Sequence, residues 1–177
     1  MAAYPNAAVF YLERADAYEV LGKFAEAAAD VRSADKVVSD KSILDLNNLA
    51  WRLTTGRPEV RNPTRALELV NKIGAAQRGN YLNTIGVVQY RNELYPQAIK
   101  TLVESLATGK GTADAYDLYF LAMAYGKVGD LLKAQASYLS ASLWMLKQTR
   151  LPAHAAEELR RFRQEAEEVL RKAEGKK

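Results

Sequence analysis

LNNLAW (residues 46–51), LNTIGV (residues 82–87) and LYFLAM (residues 118–123) are variants of one short pattern, and successive copies begin 36 residues apart. Each has Leu at the first place, Leu or Ile at the fourth, and Ala or Gly at the fifth. The small residue also occurs earlier in the chain, which gives a series of Ala15, Ala50, Gly86 and Ala122 at intervals of 35, 36 and 36. A fixed period of this length predicts a stack of similar structural units.

Helical spacing surrounds each of these small residues. Leu46, Leu49, Ala50 and Leu53, for example, lie on one face of a helix. A second helical stretch with its own small residues follows each time, and these residues are Ala27 and Ala34, Ala66, Ala98, and Ala134 and Ala141. Sustained alternation of apolar and polar residues is absent, so the sequence predicts an all-α fold.

Turn signals separate the two helices of each pair. Gly22 and Gly129 stand there in the first and fourth repeats. The second repeat has the longer connection TTGRPEVRNP, in which Asn62 can cap a helix and Pro63 can occupy its first position.

The order of residues in these pairs resembles the tetratricopeptide repeat (TPR), a helix–turn–helix unit of about 34 residues. The matching residues of the first repeat are Tyr11, Ala15, Tyr18, Gly22, Phe24, Ala27 and Ala34. Those of the fourth repeat are Leu118, Leu121, Ala122, Tyr125, Gly129, Ala134, Tyr138 and Ala141. The third repeat departs with Glu93 in place of the turn glycine, and the second departs with its insertion and with Ile73 in place of the last alanine. The resemblance covers about residues 6–145.

The resemblance implies a single domain, residues 1–177, folded as a right-handed superhelical solenoid. It would contain about four helical hairpins (residues 6–40, 41–77, 78–111 and 112–147) and a C-terminal capping helix at 153–173. The predicted apolar stripe of the capping helix is Ala155, Leu159, Phe162, Ala166, Val169 and Leu170. LNNLAWRLTT with the downstream PEVRNPTRALELV also resembles TPR arrays of large bacterial multidomain proteins. Pro5–Asn6 either close a preceding repeat of a longer protein or simply start the first helix.

Composition excludes several kinds of site. The chain has no cysteine, which rules out disulfides and thiolate metal sites. It has neither a membrane-spanning apolar run nor a signal-peptide pattern, so we expect a cytoplasmic protein. The net charge of +4 is unevenly spread, at about −3 in residues 1–40, about +5 in residues 41–110 and about +2 in residues 111–177. This asymmetry either steers an acidic partner to the middle of the chain or is an ordinary solvated surface.

Catalytic chemistry has no support in the sequence. His154 is the one histidine, it has no second ligand at helical spacing, and it follows Leu151–Pro152 in a predicted linker. The segment ATGKGT (residues 107–112) lacks the first glycine of a phosphate loop and has Gly111 where Ser or Thr should follow the lysine. We therefore expect no enzyme activity, no metal and no cofactor.

A binding surface follows from the resemblance, which implies that the first helix of each hairpin lines a concave groove. Carried onto this sequence, the peptide- or partner-binding residues are Asn47, Trp51, Asn83, Tyr90, Arg91, Tyr116, Tyr119, Met123 and Lys127. Amide side chains suit a peptide backbone, aromatic residues and Met suit interface hot spots, and the two cations suit a carboxylate. Alternatives stay open: Trp51 packs on the inserted loop, Tyr116 and Tyr119 pack on the third repeat or the C-terminal helix, and Asn47 only joins repeats.

The function predicted from these features is a non-enzymatic protein–protein interaction module that holds a peptide or partner helix in its groove. The alternative is a structural spacer or self-association domain, a homo-oligomer, within a larger bacterial protein. Nucleic-acid and membrane partners are not expected, since base-reading helical repeats use longer arrays and the charge is modest. The groove hypothesis also predicts that replacing Asn83 and Tyr119 by Ala weakens binding and leaves thermal stability nearly unchanged.

Overall fold

The computed structural model describes residues 7–109 and 114–175, and every regular element in these ranges is helical. Its α-helices are α1 (Ala7–Val20), α2 (Phe24–Val37), α3 (Ile43–Thr55), α4 (Pro63–Asn71), α5 (Ala75–Arg78), α6 (Leu82–Arg91), α7 (Tyr95–Thr108), α8 (Asp114–Val128), α9 (Leu131–Lys147) and α10 (Ala153–Glu174). Short 3-10 helices occupy Pro58–Val60 and Gly79–Tyr81. The all-α prediction is confirmed for the described residues. Pro5–Asn6 and residues 110–112 of the ATGKGT segment lie outside them.

The chain divides into two compact units. That it forms a single domain stays a prediction. The first runs to Thr84 and the second begins at Ile85, inside α6. The first unit contains the hairpins α1–α2 and α3–α4. In the second, α8 packs against α7, α9 and α10.

Three hairpins turn with the same backbone conformation. Gly22, Glu93 and Gly129 have φ values of 72°, 62° and 84°, and each lies seven residues after the small residue of its repeat. The residue that follows each of them donates its N–H to a carbonyl five residues back, in the pairs Lys23–Tyr18 (2.8 Å), Leu94–Gln89 (3.0 Å) and Asp130–Tyr125 (3.0 Å). This is the Schellman ending of a helix. Glu93 thus takes the left-handed position that the other two hairpins give to glycine.

Close helix contact explains the small residue of the third repeat. A Cβ added to Gly86 would lie 2.5 Å from Cγ and from Cδ2 of Leu102, which belongs to α7. Ala15, Ala50 and Ala122 are also fully buried. The fifth residue of LNTIGV is therefore small because the second helix of the same pair packs against it.

The long connection in the second repeat is ordered by local hydrogen bonds. Asn62 accepts a hydrogen bond from the Arg65 N–H at 3.0 Å, and Pro63 is the first residue of α4, so the predicted cap is confirmed. The Arg57 guanidinium lies 3.5 Å from the centroid of the Phe24 ring on α2, which attaches the connection to the first hairpin.

The C-terminal helix α10 buries the stripe that the sequence predicted. Leu159, Phe162, Ala166 and Leu170 are buried, and the remaining two stripe residues are half-buried. Among residues 7–109 and 114–175, no helix combines the length and the apolar character needed to cross a membrane.

Candidate protein-binding site

The nine candidate residues are divided between the two units. Asn47, Trp51 and Asn83 belong to the first unit, and the other six belong to the second. In the first unit all three side chains are half-buried, so each of them still has surface that a partner can contact.

Asn47 and Trp51 lie one turn apart on α3. The Asn47 side-chain N–H donates to Oδ1 of Asn48 at 3.2 Å, whereas its own Oδ1 is buried without a hydrogen-bond partner among the described residues. The hydroxyls of Thr54 and Thr55 each donate to the Trp51 carbonyl at 2.9 Å.

Arg52 is a polar residue of the first unit that the sequence did not single out. Its side chain is only 12% exposed and forms ion pairs with Asp16 and Glu19, both on α1. Arg52 therefore links α3 to α1. Nothing in the sequence around Arg52 distinguishes it from an exposed arginine.

Arg91 in the second unit is already paired within the chain. Its guanidinium binds both carboxylate oxygens of Glu165 on α10, with an Nη2–Oε2 distance of 2.8 Å. It also lies 5.1 Å from the centroid of the Phe120 ring. The Arg91 side chain is 9% exposed and that of Glu165 is 27% exposed, so this is a largely buried ion pair. The sequence predicted that Arg91 meets an acidic group, and the acidic group found here belongs to the same chain.

An aromatic cluster surrounds Phe162 of α10. The Phe162 ring centroid lies 5.0 Å from that of Phe120 and 6.0 Å from that of Tyr116, both on α8. Tyr90 of α6 extends the cluster, with its ring centroid 5.4 Å from that of Phe120. The packing alternative for Tyr116 is thus confirmed, and α10 is the element against which it packs.

Burial and neighbouring carboxylates also change the acidity of these tyrosines. Burial raises the pKa of Tyr90, and the charge of Glu165 adds to the effect. Burial likewise raises the pKa of Tyr116, with a further contribution from Glu158. Both phenols therefore stay neutral at physiological pH, as expected for residues that pack against a helix.

Tyr119 and Met123 are fully buried, so a partner does not reach them in this structure. The Tyr119 ring lies 6.0 Å from that of Tyr138, and its hydroxyl is 3.1 Å from Sδ of Met145 on α9. Tyr119 is thus a packing residue, but the contacts found for it are with α9, an element that the sequence analysis did not name for it. Replacing it by Ala would open a cavity, which corrects the expectation that stability is unchanged. Lys127 is exposed near the end of α8.

Taken together, these contacts put α10 on the α6–α8 face, which we define by Tyr90, Arg91, Tyr116 and Phe120. The sequence indicated that α10 is amphipathic, and Phe162 stood on its predicted apolar stripe. No signal distinguished Glu165 from the other glutamates of that helix.

No protein-family model matches this chain, and neither does any curated protein or solved structure.

Proposed function

We propose that this chain is a non-enzymatic protein-interaction module, a TPR-type solenoid of four helical hairpins that binds a peptide or helix of a partner protein. The observation that supports the proposal most directly is the packing of α10 against α6 and α8. A face built from the first helices of two hairpins holds an amphipathic helix, through an aromatic pocket for Phe162 and a buried guanidinium for Glu165. Such faces combine hot-spot aromatic area with a directional charge pair.

The shared turn geometry supports the family part of the proposal. Three hairpins place a left-handed residue seven positions after a buried small residue, and each closes with the same hydrogen bond. A repeated local geometry of this kind is typical of units that stack in an array.

α10 occupies the α6–α8 face. Apart from Lys127, which is exposed near the end of α8, the candidates that lie outside this face and keep accessible surface for a partner are the first unit's Asn47, Trp51 and Asn83. We assign partner binding to these residues. The half-buried Trp51 ring supplies apolar contact area to the bound segment, and Asn47 lies one turn before it on α3.

The test starts from a displayed library of random 15-residue peptides selected on the immobilised full chain. Fluorescence anisotropy then compares the selected peptides on two double variants. Asn47→Ala with Trp51→Ala should weaken binding by at least about tenfold, since a hot-spot side chain contributes this much or more. Asn71→Ala with Trp144→Ala is the matched control, because it removes the same residue types from α4 and α9.

The proposal fails if the library yields no binder, or if the control variant weakens binding as much as the α3 variant. Thermal melting of both variants separates loss of binding from loss of folding, since Trp51 and Trp144 are both half-buried. If the chain is instead a structural spacer, the library should yield no binder although the chain melts as a stably folded protein.

A further inference from the structure

The outward side of α9 carries a row of exposed leucines. Leu132, Leu139, Leu143 and Leu146 are 82%, 59%, 56% and 82% exposed. Ala136, also exposed, completes the row, so that apolar residues recur at alternating intervals of four and three along the helix. This alternation is the spacing of a coiled-coil seam, and the row extends about 21 Å at the α-helical rise of about 1.5 Å per residue. We call it the α9 leucine row.

These leucines are not the core face of α9. The core face is formed by Ala134 and Ala141, which are fully buried. The helix therefore has one apolar face that is packed and a second that nothing covers among the described residues. Soluble monomers rarely expose a contiguous apolar strip of this kind, and one that is regular along a helix indicates a site for another helix.

The C-terminal helix borders the row without covering it. Gln135 donates to a carboxylate oxygen of Glu174 at 2.9 Å, and the Tyr138 hydroxyl donates to Glu167 at 2.5 Å. Both acceptors lie on α10, which fixes that flank of α9.

Positive charge marks the other flank. Residues 131–150 contain Lys133, Lys147 and Arg150 and no acidic residue. Lys133 is paired with Asp130 at 2.7 Å, whereas Lys147 and Arg150 form no ion pair among the described residues. The C-terminal end of the α9 leucine row is therefore basic.

We propose that the α9 leucine row is a second docking surface, and that its occupant is an acidic amphipathic helix of a partner protein. The seam of that helix packs on the leucines, and its carboxylates face Lys147 and Arg150. A second copy of this chain packed in parallel on this row would bring the same positive ends together, whereas an antiparallel copy would not, and sedimentation of the chain alone tests for such a copy. A single helix face is also much smaller than the roughly 20–30 residues per side of a stable standard interface.

Two synthetic 21-residue peptides test the proposal, each with leucine at the seam positions and fluorescein at one end. One carries glutamate at the positions flanking the seam, and the other carries lysine there. Anisotropy titrations with the full chain at low salt should show the glutamate peptide binding about tenfold more tightly than the lysine peptide, as a few exposed ion pairs allow. Raising the salt concentration should reduce the difference in affinity between the two peptides, because salt screens exposed charges.

Two kinds of variant then locate the binding. Leu143→Gln should weaken the glutamate peptide by about tenfold, whereas Leu44→Gln should leave it unchanged, although both leucines are 56% exposed. Lys147→Glu combined with Arg150→Glu should reverse the preference between the two peptides without touching a leucine. All of these side chains are exposed, so the variants should keep the melting temperature of the parent chain.

Equal binding of the two peptides, or binding that survives both Leu143→Gln and the charge reversal, would overturn the proposal. Sedimentation of the chain alone gives the other decisive outcome. A dimer that Leu143→Gln dissociates would assign the α9 leucine row to a second copy of this chain and not to an acidic helix.

Discussion

Gly86 offers the sharpest test of how the hairpins pack. Its replacement by Ala puts a methyl group 2.5 Å from both Cγ and Cδ2 of Leu102, well inside van der Waals contact. Leu102 is fully buried, so its side chain has little room to move away. Overpacking of this kind costs about 1–3 kcal/mol, while the change from Gly to Ala in a helix returns about 1 kcal/mol. We expect Gly86→Ala to lower the free energy of unfolding by up to about 2 kcal/mol.

Gly126 in α8 is the matched control. A Cβ added there meets Cγ1 of Val169 at 3.2 Å, a contact with the end of a half-buried side chain that a small shift can relieve. The same helix-propensity gain then dominates, and Gly126→Ala should be neutral or stabilising by up to about 1 kcal/mol. Two helical glycines are thus expected to respond with opposite signs.

A double-mutant cycle isolates the clash. Leu102→Ala alone should cost about 2–5 kcal/mol through the cavity that it leaves. In that background Gly86→Ala should become stabilising by up to about 1 kcal/mol, because the methyl group now has room. Urea unfolding followed by circular dichroism at 25 °C measures all four proteins. A clash with Leu102 is refuted if Gly86→Ala stabilises as much as Gly126→Ala, or if the coupling energy between residues 86 and 102 is below about 0.5 kcal/mol.

Three further predictions concern the turns, the buried ion pair and the tyrosines. Glu93→Gly should raise the free energy of unfolding by about 1 kcal/mol, because Glu93 has φ of 62° and a side chain in that region costs about 1–2 kcal/mol. Glu93→Ala keeps the strain, so its urea midpoint should show no such gain. Glu165→Ala should lower the free energy of unfolding by about 2 kcal/mol, because it leaves Arg91 buried without its carboxylate. Arg91→Leu in that background should restore part of the loss. An unchanged urea midpoint in Glu165→Ala would show that the ion pair contributes nothing to stability. The raised pKa of Tyr90 and Tyr116 contributes stability below about pH 10, and this stability is lost at higher pH because the phenols ionise first in the unfolded chain. The urea midpoint should therefore fall less between pH 8 and pH 11 in the double variant Tyr90→Phe with Tyr116→Phe than in the parent chain.

Local features of the fold were predictable because they depend on neighbours in the sequence. The small residue at Gly86 and the cap at Asn62 followed from helical periodicity and from backbone preferences, and both are confirmed. Glu93 shows that the turn is set by its place in the repeat. The left-handed conformation persists there although glycine is missing, since the packed helices on both sides over-determine it.

The candidate site was predictable only in part. Periodicity identified the first helix of each hairpin, and the resemblance to the tetratricopeptide repeat implied which of its residues line a groove. It did not reveal that Tyr119 and Met123 are fully buried. The reason is that the pattern of one helix gives the direction of a side chain and not the element that covers it.

The sequence by itself determined the all-α class, the turns at Gly22 and Gly129, the start of α4 at Pro63, and the small residues where paired helices touch. Only the tertiary structure decided which apolar face is covered. α10 and α9 both have apolar stripes at helical spacing, yet Phe162 of α10 is buried while Leu146 of α9 is 82% exposed. The difference arises because burial depends on which faces meet across the fold, through long-range contacts such as Phe162–Phe120 and Glu165–Arg91, and these are not encoded in the period of either helix.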